Sequence, residues 1–96
     1  MSAYLIARVR IADKDAYARY VAVSAQLVAQ YGGEFIARGG ASFCLEGDGF
    51  DGRLVIVRFP SAEQARAWYE SPAYAEAKAI RQPVSQAELM VVDGIA

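Results

Sequence analysis

Residues 53–64 read Arg53-Leu54-Val55-Ile56-Val57-Arg58-Phe59-Pro60-Ser61-Ala62-Glu63-Gln64. The first seven are rich in β-branched and aromatic residues and make the strongest strand in the chain, with Leu54 to Val57 at its centre. Proline cannot donate to a ladder, so Pro60 ends the strand. Ser61 then caps a helix, and Gln64 three positions on completes a capping box. Ala65, Trp68 and Tyr69 form the buried stripe of that helix. Ser71-Pro72 places a cap before a proline at the first helical position, starting a second short helix that runs to about Ile80.

Working back towards the N-terminus, Leu5, Ala7, Val9 and Ile11 alternate along residues 4–11, a half-buried strand. Asp13 caps a helix over Ala16 to Tyr31, where Tyr17, Tyr20, Val21, Leu27, Val28 and Tyr31 share one stripe. Gly32-Gly33 stops it. Glu34 to Arg38 is a short strand with Phe35 and Ala37 on one face. Gly39-Gly40 breaks or turns it, Phe43 to Glu46 continues extended, and the glycine-rich 47–52 segment is a loop. Leu89 to Val92 is the last strand. The order is strand, helix, strand, strand, helix, strand. That is an α+β chain with an antiparallel sheet and helices on one face, the ferredoxin-like βαββαβ plan.

Ninety-six residues bound this to one domain, 1–96. Ten basic against eleven acidic residues leave a net charge of −1, which argues against nucleic acid as a partner. There is no histidine and one cysteine, so histidine triads, histidine-ligated metals, a proximal-histidine haem and internal disulfides are excluded. No metal and no cofactor are expected. Ser24, Gln26 and Gln30 interrupt the longest apolar stretch well short of the ~18 residues a membrane span needs. The N-terminus lacks the pattern of a secretory signal. The expectation is a cytoplasmic protein with no membrane contact.

Residue parity predicts what each face of the sheet carries. Leu5, Ala7, Val9, Phe35, Ala37, Val55, Val57 and Phe59 are odd-numbered and apolar, and belong under the helices. The opposite face then carries Tyr4, Ile6, Arg8, Arg10, Ile36, Arg38, Leu54, Ile56 and Arg58. So much apolar surface calls for a cover, and the cheapest one is a second copy, sheet against sheet. A homodimer through the open sheet face, enclosing a pocket for a small anionic or aromatic ligand, is the expected assembly.

Arg8, Arg38 and Arg58 on that face need a carboxylate, the rim or an anionic ligand, because an unpaired buried guanidinium is costly. Arginine forks fit carboxylates, so Arg38 is a candidate catalytic residue that holds or stabilises an anion, with Arg58 and Arg8 binding substrate. The other reading is a salt-bridged or snorkelling rim. Glu46 has the same parity and is the candidate proton carrier; otherwise it is an ordinary carboxylate paired with Arg53 or Arg38. Tyr20, Trp68 and Tyr69 are candidate pocket walls, and equally core fillers. A tyrosine hydroxyl near Arg38 would serve as acid or proton relay. Cys44 has cavity-facing parity but nothing to activate its thiol.

Several motifs carry a resemblance. They are Tyr17-x-x-Tyr20, Tyr31-Gly32-Gly33, Ala37-Arg38-Gly39-Gly40, Glu46-Gly47, Phe59-Pro60-Ser61, Ala67-Trp68-Tyr69-x-Ser71-Pro72-x-Tyr74 and Arg81. On these the chain is similar to the domain-of-unknown-function 1330 family of the dimeric α/β-barrel superfamily. The resemblance implies a ferredoxin-like protomer that dimerises through its sheet, and no assigned activity. Superfamily relatives include cofactor-independent monooxygenases, lactone isomerases and haem enzymes; the histidine of the haem members is absent here. Two functions follow as expectations. One is a cofactor-independent oxygenase or isomerase acting on a small organic acid or aromatic compound. The other is a non-catalytic dimer that binds a small metabolite or plays a structural part.

Overall fold

The computed structural model describes residues 1–96. The elements, in chain order, are β1 (Ala3–Ile11), α1 (Lys14–Gln30), β2 (Glu34–Arg38), β3 (Arg53–Phe59), α2 (Ala62–Glu70), α3 (Pro72–Arg81), a 3-10 turn (Gln82–Val84) and β4 (Ser85–Asp93). One antiparallel sheet has the strand order β2-β3-β1-β4. The order matches the sequence expectation, but β4 is longer than its apolar signal. Ser85 to Glu88 alternate weakly, yet they pair with β1 from Ile11↔Ser85 onward. Pairing with a central strand overrides a weak local preference.

The helix ends follow from their caps. The Asp13 carboxylate accepts from the Ala16 N–H at 3.1 Å, and the Ser61 hydroxyl accepts from the Gln64 N–H at 3.1 Å. The capping box stays half-closed: the Gln64 amide donates to the Tyr31 carbonyl at 3.2 Å, tying the start of α2 to the end of α1. Ser71 is buried and serves two helices at once. Its hydroxyl donates to the Trp68 carbonyl at 2.8 Å and accepts from the Tyr74 N–H at 3.1 Å. Ser71→Ala removes both bonds and is expected to cost about 1–2 kcal/mol. A thermal melt checks this, with a fall of about 4–8 °C per kcal/mol for a chain of this size.

On the helix side of the sheet Ala3, Leu5, Ala7, Val9, Val57 and Phe59 are buried, as parity predicts. They meet Tyr17, Leu27, Val28, Trp68, Tyr74 and Ala77 from the helices. The end of α1 lies close on the sheet: a Cβ at Gly33 would come within 2.6 Å of Val28 Cγ1 and 2.9 Å of Phe59 Cε1.

Parity fails in β2. Phe35 faces Val57, but Ala37 faces Ile56 and Arg38 faces Val55, leaving Ile36 as an extra residue. A bulge puts two residues opposite one and shifts every later side chain to the other face. Ala37 therefore joins the open face and Arg38 the helix face, the reverse of the sequence expectation.

Residues 39–52 form an irregular loop, so the expected extension over Phe43 to Glu46 is not a strand. Phe43 and Leu45 are exposed. The far end of the loop is pinned to the open face. Asp51 pairs with Arg10 at 3.1 Å, and the Phe50 ring lies 4.5 Å from the Arg8 guanidinium and 4.6 Å from that of Arg10.

One sheet and one helix layer give a slab of 33 × 31 × 16 Å. Its accessible surface is 6321 Å², against roughly 5,400 Å² for a compact monomer of this mass. No helix is long and apolar enough to cross a membrane.

Candidate functional site

The arginines divide sharply between the two faces. On the open face each one has a carboxylate from its own chain. Arg8 pairs with Glu88 at 3.4 Å, Arg10 with Asp51, and Arg58 with Glu34. These pairs are exposed, and a surface pair of this kind contributes about 0–1 kcal/mol. The salt-bridged reading of Arg8 and Arg58 therefore describes their geometry. On the helix face Arg38, Arg53 and Arg81 line one small cavity between α1 and the sheet, and none of them has a carboxylate partner. No acidic residue lines that cavity.

Each of these arginines arrives by a separate route. The bulge at Ile36 puts Arg38 on the helix side of the sheet, where it stays exposed at the cavity mouth and its guanidinium stacks 4.3 Å from the Phe35 ring. Arg53 opens β3 with the same parity as Val55 and Val57. Arg81 closes α3 on the stripe that begins with Tyr74 and Ala77, and is 5% exposed. Its guanidinium lies 5.7 Å from the Tyr20 ring.

Tyr17, Tyr20, Ser24 and Trp68 complete the polar part of a lining that is otherwise apolar. The Tyr20 hydroxyl is bonded to that of Tyr74 at 2.8 Å, and the Trp68 and Tyr74 rings lie 4.2 Å apart. Burial, reinforced by the Tyr74 hydroxyl, pushes the Tyr20 phenol well above its ordinary pKa. Burial also raises Tyr17, although the charges of Arg53, Arg81 and Arg38 work against it. Burial opposes the charge on Arg81, but the phenols of Tyr74, Tyr20 and Tyr69 outweigh it, and the guanidinium pKa lies above its usual value. The Tyr17 and Tyr20 phenols are thus held in their neutral form, and the Arg81 guanidinium in its charged form.

Three buried donors find no protein acceptor: Arg53 Nε, Trp68 Nε1 and Arg81 Nε. All three belong to residues lining the same cavity. Buried polar groups are paired in the great majority of cases, and each one left over calls for a reason. A largely apolar wall that carries three arginines, an indole N–H and hydroxyls, and no carboxylate, has the chemistry of an anion site. It can hold a carboxylate or stabilise an oxyanion, and it contains no side chain that would remove a proton at neutral pH.

The inner cavity is about 50 Å³. It adjoins a larger cleft of about 820 Å³ between α2, α3 and β4, and Leu5, Trp68, Arg81 and Leu89 line both.

Of the sequence candidates, Arg38, Tyr20 and Trp68 come together in the cavity, and Tyr69 lines the neighbouring cleft. Arg8 and Arg58 lie on the opposite face of the sheet. Glu46 sits in the exposed loop, where its backbone carbonyl accepts from the Cys44 thiol at 3.2 Å, and it has no salt bridge to an arginine. The geometry does not bring Glu46 to the arginines, because the strand expected to carry it does not form. Arg53 and Arg81 were missed as site residues, although both had a signal. Arg53 shares the parity of the core residues of β3, and Arg81 lies seven residues after Tyr74 on one helical stripe. No three acidic or cysteine side chains converge as metal ligands.

A four-stranded antiparallel sheet with all helices on one face defines a ferredoxin-like α+β protein. Residues 2–95 match the model of the Domain of unknown function (DUF1330), and the chain belongs to that family. Among solved structures it is similar to a protein of unknown function from Rhodopseudomonas palustris, with a TM-score of 0.77 and 22% identity over 99% of this chain and 83% of that one. It is also similar to SnoaB, a cofactor-independent oxygenase from Streptomyces nogalater, with a TM-score of 0.72 and 14% identity over 99% and 94% of the two chains. A third is a dimeric ferredoxin-like protein of unknown function from Jannaschia sp. CCS1, with a TM-score of 0.65 and 8% identity over 98% and 100%. These likenesses establish the fold. No curated protein matches the chain in sequence.

Proposed function

We propose that this protein binds the anionic group of a small organic acid or aromatic compound in the cavity between α1 and the sheet, and acts on it as a cofactor-independent oxygenase or isomerase. The observation that carries this reading is the set of unpartnered donors, Arg53 Nε, Trp68 Nε1 and Arg81 Nε, in a cavity without a carboxylate. An enolate or phenolate held by these groups is electron-rich at carbon. Such an anion can give one electron to dioxygen; recombination of the carbon radical with superoxide forms a C–O bond, the peroxide anion takes a proton from solvent, and loss of water, which carries off the hydrogen of that carbon, leaves a carbonyl. For isomerisation the same anion takes a proton back at a different carbon, and the Tyr20–Tyr74 pair is placed to supply it. Similarity to an oxygenase that uses no cofactor supports this choice through fold alone. The cavity has no base, which favours substrates that ionise readily by themselves. The same feature is what a binding module without turnover would show.

Trp68 is the only tryptophan and forms part of the wall, so its emission reports occupancy directly. Titration with benzoate and with enolisable aryl ketones is expected to change that emission with Kd at or below about 1 mM. Oxygen uptake, or product formation without uptake, then separates oxygenase from isomerase. Binding with neither leaves the metabolite-binding reading, and no response from any member of the panel overturns the site.

We also infer that a second copy covers the open sheet face. Tyr4, Ile6, Leu54, Ile56, Met90 and Val92 share that face, and Met90 and Val92 are 53% and 52% exposed. Its arginines are neutralised within the chain, so the face requires no complementary charge from its occupant. The excess surface of the slab and the dimeric relative support the same partner.

A further inference from the structure

We propose that the cleft between α2, α3 and β4 is the second half of the ligand site, and that the ligand is an elongated monocarboxylate with an apolar body longer than one ring. This rests on the reading of the inner cavity as an anion site and adds a length requirement to it.

The cleft exists because α2 is too short to cover β4. Nine helical residues span about 14 Å, whereas nine strand residues span about 30 Å. The helix-side residues of β4, Ala87, Leu89 and Val91, are left partly open as the floor, which ends against the buried Leu5 of β1. Ala65 and Trp68 of α2 form its apolar wall.

Volume then sets the division of labour. The inner cavity of about 50 Å³ is less than the liquid volume of two waters, at roughly 30 Å³ each. It takes an acid group and no ring. The cleft of about 820 Å³ lies in the range of ligand pockets, about 300–1,000 Å³. Trp68 and Arg81 belong to both linings, so a carboxylate on Arg81 directs the rest of its molecule into the cleft. The 5%-exposed Arg81, with its Nε unpartnered, is the buried polar anchor that distinguishes this place from an ordinary surface groove.

The test is calorimetric titration with benzoate, 2-naphthoate and biphenyl-4-carboxylate. Affinity is expected to rise along the series, with the biphenyl acid at least about tenfold tighter than benzoate, since each ring removes apolar area from water. Ala87→Phe, on the floor, and Ala62→Phe, at the cleft edge of α2, fill the cleft without touching the inner cavity. Each is expected to bring the biphenyl acid back to the affinity of benzoate, with benzoate, whose single ring needs only the part of the cleft beside Trp68 and Arg81, weakened far less. Equal affinities across the series, or a series that neither variant alters, overturn the second half-site and leave the anion site standing. Failure of all three acids to bind overturns both.

Discussion

Arg81→Met is expected to reduce the affinity for aryl carboxylates by at least about 30-fold while leaving the melting temperature unchanged or raised. The two halves of this result come from one fact. Arg81 is buried and has no carboxylate partner. Removing a charge that pairs with a buried ligand costs about 2–5 kcal/mol of binding. Removing a buried charge that pairs with nothing in the folded chain relieves a desolvation penalty. Methionine has similar reach and fills irregular space, so it leaves no large void beside Trp68 and Tyr20. Three contributions oppose this relief: the phenols that hold the guanidinium pKa above its usual value, the Tyr20 ring 5.7 Å from it, and the helix end. Arg81 stands in the last turn of α3, where a cation is favourable by about 0.3–1 kcal/mol. Titration calorimetry and a thermal melt on the same variant check both halves. Unchanged affinity, or a melting temperature lowered by more than about 10 °C, would make Arg81 a structural residue and remove the anchor of the site.

Ile56→Asp is expected to convert a dimer to a folded monomer that still binds acids. Ile56 faces Ile6 at the middle of the open face, with Leu54 and Met90 on either side. In a two-fold, sheet-to-sheet dimer the substitution enters twice and buries two carboxylates without partners. Each costs several kcal/mol, so the loss in association exceeds about 1,000-fold. The cavity lies on the other side of the sheet, so the affinity for benzoate should persist. Light scattering at micromolar concentration, circular dichroism and titration together read the outcome. A variant that remains dimeric would place the interface elsewhere.

The sequence carried the fold well wherever a strand obeyed a strict two-residue period. Parity along β1 and β3 assigned Leu5, Ala7, Val9, Val57 and Phe59 to the core without error. Asp13, Ser61 and Ser71 marked three helix starts, because capping is a local hydrogen bond between near neighbours. The candidate site was less legible. Arg38 was assigned to the wrong face of the sheet, because one unpaired residue at Ile36 reverses the period, and nothing in Glu34-Phe35-Ile36-Ala37-Arg38 announces it. Glu46 was assigned by the same period, extended across a stretch that is a loop. Arg53 and Arg81 lay in regular elements on buried stripes. Their meaning emerges only when two elements far apart in the chain meet, since a buried arginine is remarkable for the partner it lacks.

The three arginines without counterions have a consequence for how long the molecule survives. An anion that binds the native state and not the unfolded chain shifts the unfolding equilibrium by mass action, by about 2.7 kcal/mol at a hundred times its Kd. Because the cavity brings together positive charge that only an anion neutralises, occupancy and persistence are coupled here. On the proposed anion site, the supply of the acid would set how much of the chain is filled, and thereby how often it opens to a protease.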